Sequence, residues 1–232
     1  MRKWIFSLIV AAFGCLTITT PGWAQYPSWE AIVYAGATDA HFTGAQAKSF
    51  VGNDRRQGFA GGVSFFLRTD KEFGVETGIR YAQKGGGGTF LRTFAIPNFK
   101  NVTAEVGTGE FRFEYIEVPL LFAGILDIGS NSHVRGYVGP SLNFLIRANL
   151  KGTIEGQSLD ENVTDQFSDF DLGGNVGVAY RYSWDRVNLH VDGRWMVSMR
   201  SIEADETADP DIKNNVWTIS VGLGFMLAVD DE

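Results

Sequence analysis

The chain has 232 residues with 20 Lys plus Arg, 27 Asp plus Glu and a formal net charge of -7, 44% of it hydrophobic and 20% charged. This is the length of one domain or two small ones, and the composition excludes both a disordered chain and an all-helical membrane protein. The acidic balance excludes a nucleic-acid partner, which needs a basic face to gather phosphates.

The outlying feature is glycine, at 28 residues, about 12% against a usual level of about 7%. Residues 1–24 read as an export signal. Arg2 and Lys3 form its positive start, residues 4–18 are apolar, and Gly22-Trp23-Ala24 places small residues at the cleavage positions. The apolar run is shorter than the roughly 20 residues a spanning helix needs, so cleavage is expected and the mature chain starts at Gln25. The one cysteine, Cys15, lies in this leader, which leaves the mature chain without disulfide or thiolate chemistry. Ala12-Phe13-Gly14 before it lacks the branched aliphatic residue that lipidation of Cys15 favours.

Eight strands are predicted in the mature chain, over residues 29–42, 57–68, 73–84, 109–125, 134–150, 170–184, 187–200 and 217–227. Five of them show clear period-two alternation. In 73–84, Phe73, Val75, Thr77, Ile79 and Tyr81 oppose Gly74, Glu76, Gly78, Arg80, Ala82 and Lys84. In 134–150, Val134, Val138, Leu142, Phe144, Ile146 and Leu150 oppose Arg135, Tyr137, Gly139, Ser141, Asn143 and Arg147. The same split sets Val176 and Tyr180 against Asp171 and Arg181, Val191 and Trp195 against Asp192 and Arg194, and Ile219 and Leu223 against Gly222 and Gly224. In 109–125 the apolar parity switches near Tyr115-Ile116, which predicts a bulge or a shifted boundary.

The connections alternate in length. Residues 43–56, 86–108, 151–166 and 203–212 are long and polar, whereas 69–72, 126–133 and 185–186 are short. Long loops outside and tight turns in the periplasm are the pattern of an outer-membrane barrel. A soluble barrel has the same period but turns its apolar face inward. Here the polar face is crowded with Gly, Ser and Asn around opposite charges, as a narrow lumen requires. Large aromatics, among them Trp29, Phe73, Tyr81, Tyr182, Trp184, Trp217 and Phe225, stand near strand ends where girdles form. The predicted fold is therefore all-β: an eight-stranded antiparallel up-and-down transmembrane β-barrel in the cell outer membrane. A mature chain this short cannot build a 16-stranded porin.

Several segments also resemble a known family. Gly58-Phe59-Ala60-Gly61-Gly62-Val63 followed by residues 73–85, with Tyr81-Ala82-Gln83-Lys84-Gly85 at their end, is similar to a hairpin of the outer-membrane β-barrel domain family, the PorT-like "porin family" group of Gram-negative bacteria. Tyr115-Ile116-Glu117-Val118-Pro119-Leu120-Leu121 resembles that family's most recognisable motif. Tyr137-Val138-Gly139-Pro140, Phe170-Asp171-Leu172-Gly173 and Ile219-Ser220-Val221-Gly222-Leu223-Gly224-Phe225 resemble later strands. The resemblance covers nearly all of the mature chain. It implies an eight-stranded outer-membrane barrel, in a family most of whose members have no assigned activity and one branch of which serves protein secretion. One departure is that Phe225 is followed by seven further residues, whereas such barrels commonly end at an aromatic residue read by the assembly machinery.

The mid-strand charges Glu76, Arg80, Glu117, Arg135, Asp171, Arg181, Asp192 and Arg194 are expected to pair across the lumen, because mixed signs buried together without partners would be costly. Their alternative is a narrow ion pathway. His190, Asp192 and Ser198 share one face, the residue types of a nucleophilic triad, but residues two apart on a strand lie about 7 Å apart and lipid cannot enter the lumen. They are read as interior polar groups, and no enzyme activity and no cofactor are expected. Asp160, Glu161, Asp165 and Asp169, and Glu203, Asp205, Glu206, Asp209 and Asp211, offer oxygen ligands without EF-hand spacing and read as solvated loop charge. Gly85 to Gly88 opens no helix and reads as a loop base, not a phosphate cradle. Asn101-Val102-Thr103 and Asn162-Val163-Thr164 match the glycosylation acceptor pattern, which carries no weight in a bacterial protein. The expected partners are outer-membrane lipid and lipopolysaccharide, the outer-membrane assembly machinery and an unidentified extracellular or envelope partner. The expected role is structural or interactive through the external loops, with a channel, a secretion component and a membrane-embedded enzyme as alternatives.

Overall fold

The computed structural model describes residues 28–44, 54–91, 106–154, 157–184, 187–202 and 212–228. The leader with Cys15, the Asn101 acceptor pattern, the 185–186 turn and the acidic residues from Glu203 to Asp211 lie outside them. The strands are β1 (Ser28–Thr43), β2 (Arg56–Arg68), β3 (Phe73–Leu91), β4 (Val106–Asp127), β5 (Ser132–Ile154), a short β6 (Gln157–Asn162), β7 (Phe170–Trp184), β8 (Val187–Ser198) and β9 (Lys213–Ala228).

Every neighbouring pair is antiparallel. β1 pairs with both β2 and β9, and β4 pairs with both β3 and β5, so eight strands close into a ring in the order β1-β2-β3-β4-β5-β7-β8-β9. Closure leaves no free edge in the part that faces lipid, where an unpaired backbone group has no water to turn to. β6 stands outside the ring, pairing with β5 above the point where β7 leaves it.

Alternation places the apolar residues outside. Val33, Val63, Ile79, Val138, Val176, Val191, Ile219 and Leu223 are all exposed on the barrel wall. Exposed apolar surface on this scale is stable only against lipid. Phe73, Tyr182, Trp184 and Phe225 ring the short-turn end. Phe59, Trp195 and Trp217 stand at the other, where the two indoles stack at 6.0 Å. On β9 the eight steps from Trp217 to Phe225 span about 26 Å of strand, or about 20 Å of height at the tilt of such barrels, within their apolar band of about 25 Å.

Four details depart from the sequence reading. Gly85 to Gly88 is not a loop: these residues continue β3, paired with Arg112 to Gly109 on β4. Residues 151–166 are not a plain loop either, since they end β5, form β6 and close with a 3-10 turn at Thr164–Gln166. Asn162 builds that turn, its Oδ1 accepting from the Thr164 backbone N–H at 3.0 Å, the local bond Asn makes readily. Third, the odd residues of β4 from Phe111 to Ile125 are buried without interruption, so β4 itself has no parity switch. The irregularity lies opposite, where Glu114 pairs with Arg147 but Tyr115 pairs with Leu145. Ile146 on β5 is the extra residue. The fourth follows from it: beyond the bulge Arg147 is exposed and Leu150 is buried, the reverse of the predicted faces, because one inserted residue flips everything after it.

Candidate functional site

The barrel interior combines a charged belt with two apolar clusters. A charged belt fills the middle, and all eight residues expected in the lumen face inward. Glu117 accepts from Lys84 Nζ at 2.6 Å and lies 3.3 Å from Arg80 Nε, while Arg80 also donates to Thr218 Oγ1 at 2.6 Å. Glu76 lies 3.2 Å from Arg135 and 3.6 Å from Arg194. Asp192 accepts from the Tyr137 hydroxyl at 2.5 Å and stands 3.8 Å from Arg194 Nε. Arg181 lies 3.5 Å from Glu30. Asp171 takes hydrogen bonds from Ser198 at 2.6 Å and Asn143 at 3.4 Å.

Sequence reasoning missed Glu30 and left Lys84 out of the charged set; it placed His190 inside as a polar group but did not name its partner. Glu30 accepts from Asn188 at 2.6 Å and lies 2.8 Å from His190 Nε2. Lys84 already stood on the polar face of its strand, so parity alone was enough to find it. The residues considered as a triad each go elsewhere: His190 to Glu30, Asp192 to Tyr137 and Arg194, and Ser198 to Asp171. That arrangement holds side chains in place and assembles no nucleophile with its base.

Two apolar clusters pack with the belt. In the half nearer the short turns, Ile32, Phe66, Leu121, Ala123, Ile125, Tyr137 and Ala179 interleave with Glu30, Glu76 and Arg135 in cross-strand register, and the Arg135 guanidinium stacks 4.3 Å from the Phe66 ring centre. Toward the long loops, Phe42, Phe111, Phe113, Tyr115, Phe167, Ile202 and Ile212 form a second cluster, in which Phe113 meets Phe167 edge-on at 4.7 Å. These inward apolar residues are what made β4 look broken in sequence. Within the belt a cavity of about 20 Å³ is lined by Tyr34, Ser64, Glu76, Arg135, His190 and Asp192 among others, room for about one water.

The inward glycines have two steric causes. A Cβ on Gly62 would overlap the carbonyl oxygen of Ile79 on β3, and one on Gly139 that of Leu120 on β4. There a tightly coiled wall brings the next strand's backbone too close. A Cβ on Gly224 would instead collide with the Glu30 carboxylate and His190, so that glycine makes room for the belt.

The second feature is a sheet that rises beyond the barrel. β8 has 12 residues, but β4 has 22 and β5 has 23, against the 9 to 11 that a tilted strand needs to cross the bilayer. Residues 85–91 of β3, 106–114 of β4 and 147–154 of β5, with β6, form this extension. Arg56 on β2 braces it through an ion pair to Glu110, and a backbone bridge joins Asp54 to Gly87. Gly88, Gly109 and Gly152 stand in cross-strand register. They floor an open depression of about 550 Å³ rimmed by Thr108, Thr153, Ser158, Lys151 and Asp160, with Lys151 and Asp160 paired at 3.1 Å. Of the two acidic stretches, only that of Asp160, Glu161, Asp165 and Asp169 is described. Among the described residues no three His, Cys, Asp or Glu side chains gather as metal ligands.

A family model described as outer membrane protein beta-barrel domain matches residues 23–203. No curated protein matches the chain. Among solved structures, the attachment invasion locus protein Ail of Yersinia pestis is similar at 16% identity and a TM-score of 0.42, over 84% of this chain and 98% of that one. Neisserial surface protein A is similar at 14% identity and a TM-score of 0.44, over 84% and 96%. A major outer membrane protein from Thermus thermophilus is similar at 15% identity and a TM-score of 0.47, over 86% and 99%. At these values the likeness bears on the barrel shape alone and says nothing of function.

Proposed function

Because the chain belongs to the outer membrane protein beta-barrel domain family, and so is an outer-membrane β-barrel, we propose that it is a closed, non-enzymatic barrel that presents its projecting sheet to an extracellular or envelope partner. The observation that carries this reading is the surplus length of β3, β4 and β5 on the long-loop side alone. A barrel that served only as a wall has no use for strands of 22 and 23 residues. The two apolar clusters and the paired belt support a lumen that does not conduct. Lipid and lipopolysaccharide contact the apolar wall, the assembly machinery inserts the chain, and residues 1–24 are removed on export.

Two measurements test this. In intact cells, Ser158→Cys in β6 should react with a membrane-impermeant maleimide, whereas Asn131→Cys beside a short turn should react only after the envelope is opened. The opposite pattern would invert the orientation and remove the sheet from the cell exterior. In planar bilayers the purified barrel should give no conductance steps. Stable, salt-dependent steps would favour the channel reading.

A further inference from the structure

The sheet that rises beyond the barrel has two side edges. Its β3 edge is capped where it leaves the wall. Asp54 and Gly87 exchange backbone hydrogen bonds at 2.8 and 3.0 Å, Thr38 Oγ1 donates to the Gln83 carbonyl at 2.8 Å, and Arg56 donates to that of Lys84 at 3.3 Å. The other edge is β6, which ends the strand order and pairs with β5 alone. The Val163 N–H donates to the Ala148 carbonyl at 2.9 Å, and successive antiparallel pairs alternate between bonded and unbonded. That phase turns the backbone groups of Leu159 and Glu161 toward β5 and those of Ser158, Asp160 and Asn162 away from it. Among the described residues no hydrogen bond meets these outward groups, and all three residues are exposed. Such an edge is a template for another strand.

The side chains select what can pair there. Leu159 is half-buried against the aromatic cluster, Glu161 shares its face, and Asp160 stands on the opposite one. Lys151 is paired with Asp160. Glu161 and, just beyond β6, Asp165 and Asp169 have no ion pair among the described residues. A second copy of β6 laid antiparallel about Asp160 would set carboxylate against carboxylate, and like charges directly opposed are destabilising. The edge is therefore suited to a chain of opposite charge.

We infer that the free edge of β6 receives an extended, basic segment of another protein as an antiparallel strand. An apolar residue opposite Leu159 extends the cluster, and lysine or arginine stands opposite Asp160 and Glu161. Main-chain bonds supply the affinity and these side chains the selectivity. The inference rests on the projecting sheet being the part that meets a partner, and it names that partner's chemistry.

The probe is the peptide Thr-Thr-Lys-Lys-Val-Thr-Thr with blocked ends, and Thr-Thr-Glu-Glu-Val-Thr-Thr is its counterpart. Backbone amide exchange is followed by NMR on the refolded full chain in detergent micelles. Excess basic peptide should slow exchange about tenfold at Ser158, Asp160 and Asn162, whose N–H groups gain partners, and leave Leu159 and Glu161 unchanged. Attraction between side chains alone would not produce this alternation. Glu161→Gln should weaken binding by up to about fivefold, the worth of one cross-strand ion pair. Asp160→Pro removes an outward N–H and spares the pairing with β5, so it should abolish binding while heat-modifiable migration persists. If that variant does not fold, the exchange pattern of the unaltered chain still decides. No slowing at the three amides, or equal slowing by the acidic peptide, would overturn the inference. Slowing that grows with barrel concentration in the absence of peptide would make a second copy the occupant and overturn it too. A purified barrel has no inside or outside, so the result is independent of the maleimide test. Peptide binding together with an inverted labelling pattern would keep the strand addition and reject the exterior placement.

Discussion

Replacing Glu117 by glutamine keeps the shape of the side chain but removes the carboxylate that Arg80 and Lys84 share. Lys84 is fully buried and Arg80 nearly so, so neither cation can turn to water when its partner is lost. Breaking a buried pair from one side costs about 3 to 5 kcal/mol, most of it from the charge left behind. For a domain of this length each kcal/mol moves the transition by about 2 to 4 °C, which predicts a fall of about 6 to 20 °C. The assay is heat-modifiable gel migration, with circular dichroism on the same refolded sample. Asp160→Asn is the control, since its pair with Lys151 is more than half exposed on both sides and such pairs are worth about 0 to 1 kcal/mol. Glu117→Gln combined with Lys84→Met should regain part of the loss, because the stranded ammonium is removed with its partner. A Glu117→Gln transition no lower than that of Asp160→Asn would refute the account of the belt as a structural network.

Two further expectations concern the wall. Gly62→Val drives a side chain into the Ile79 carbonyl on β3 and should abolish the heat-resistant folded band. Gly124→Ala, where nothing lies within 4 Å of the new carbon, should fold as the parent does; equal behaviour of the two would show that backbone approach is not what selects glycine. Deleting Ile146 removes the bulge and leaves regular alternation, with Leu145 still opposite Tyr115, Arg147 still opposite Glu114, and Ala148 and Leu150 still facing inward. The folded band should form as in the parent. Loss of that band would show that Ile146 is not a surplus residue and that the register of β5 depends on it.

The eight ring strands were legible in the sequence because their signal is local. A strand alternates with period two whatever it pairs with, so 73–84 and 187–200 could each be read alone. The inward position of Glu76, Arg135 and Asp192 followed from the same parity. Short-range chemistry also marked the long-loop side and the aromatic girdles, and it gave the excess glycine an inward address. What that glycine avoids was not legible. At Gly62 it is a neighbouring backbone and at Gly224 a carboxylate, and both depend on how tightly the wall coils.

Pairing was decided by closure of the ring. Glu30 and His190 are 160 residues apart, and they meet only because β1 joins β9, which joins β8. The bulge could be suspected from β4 but belongs to β5, since register is a property of two strands and parity of one. The inward apolar clusters escaped notice for a related reason. An inward Phe113 and an outward Phe122 are the same residue type in the same strand, and only the completed barrel sorts them between a packed interior and lipid. The sequence by itself determined how many strands form the ring and, outside the bulge, which way their residues point; the tertiary structure decided which inward groups meet, because contacts across a closed barrel join residues far apart in the chain, whose approach no local period encodes.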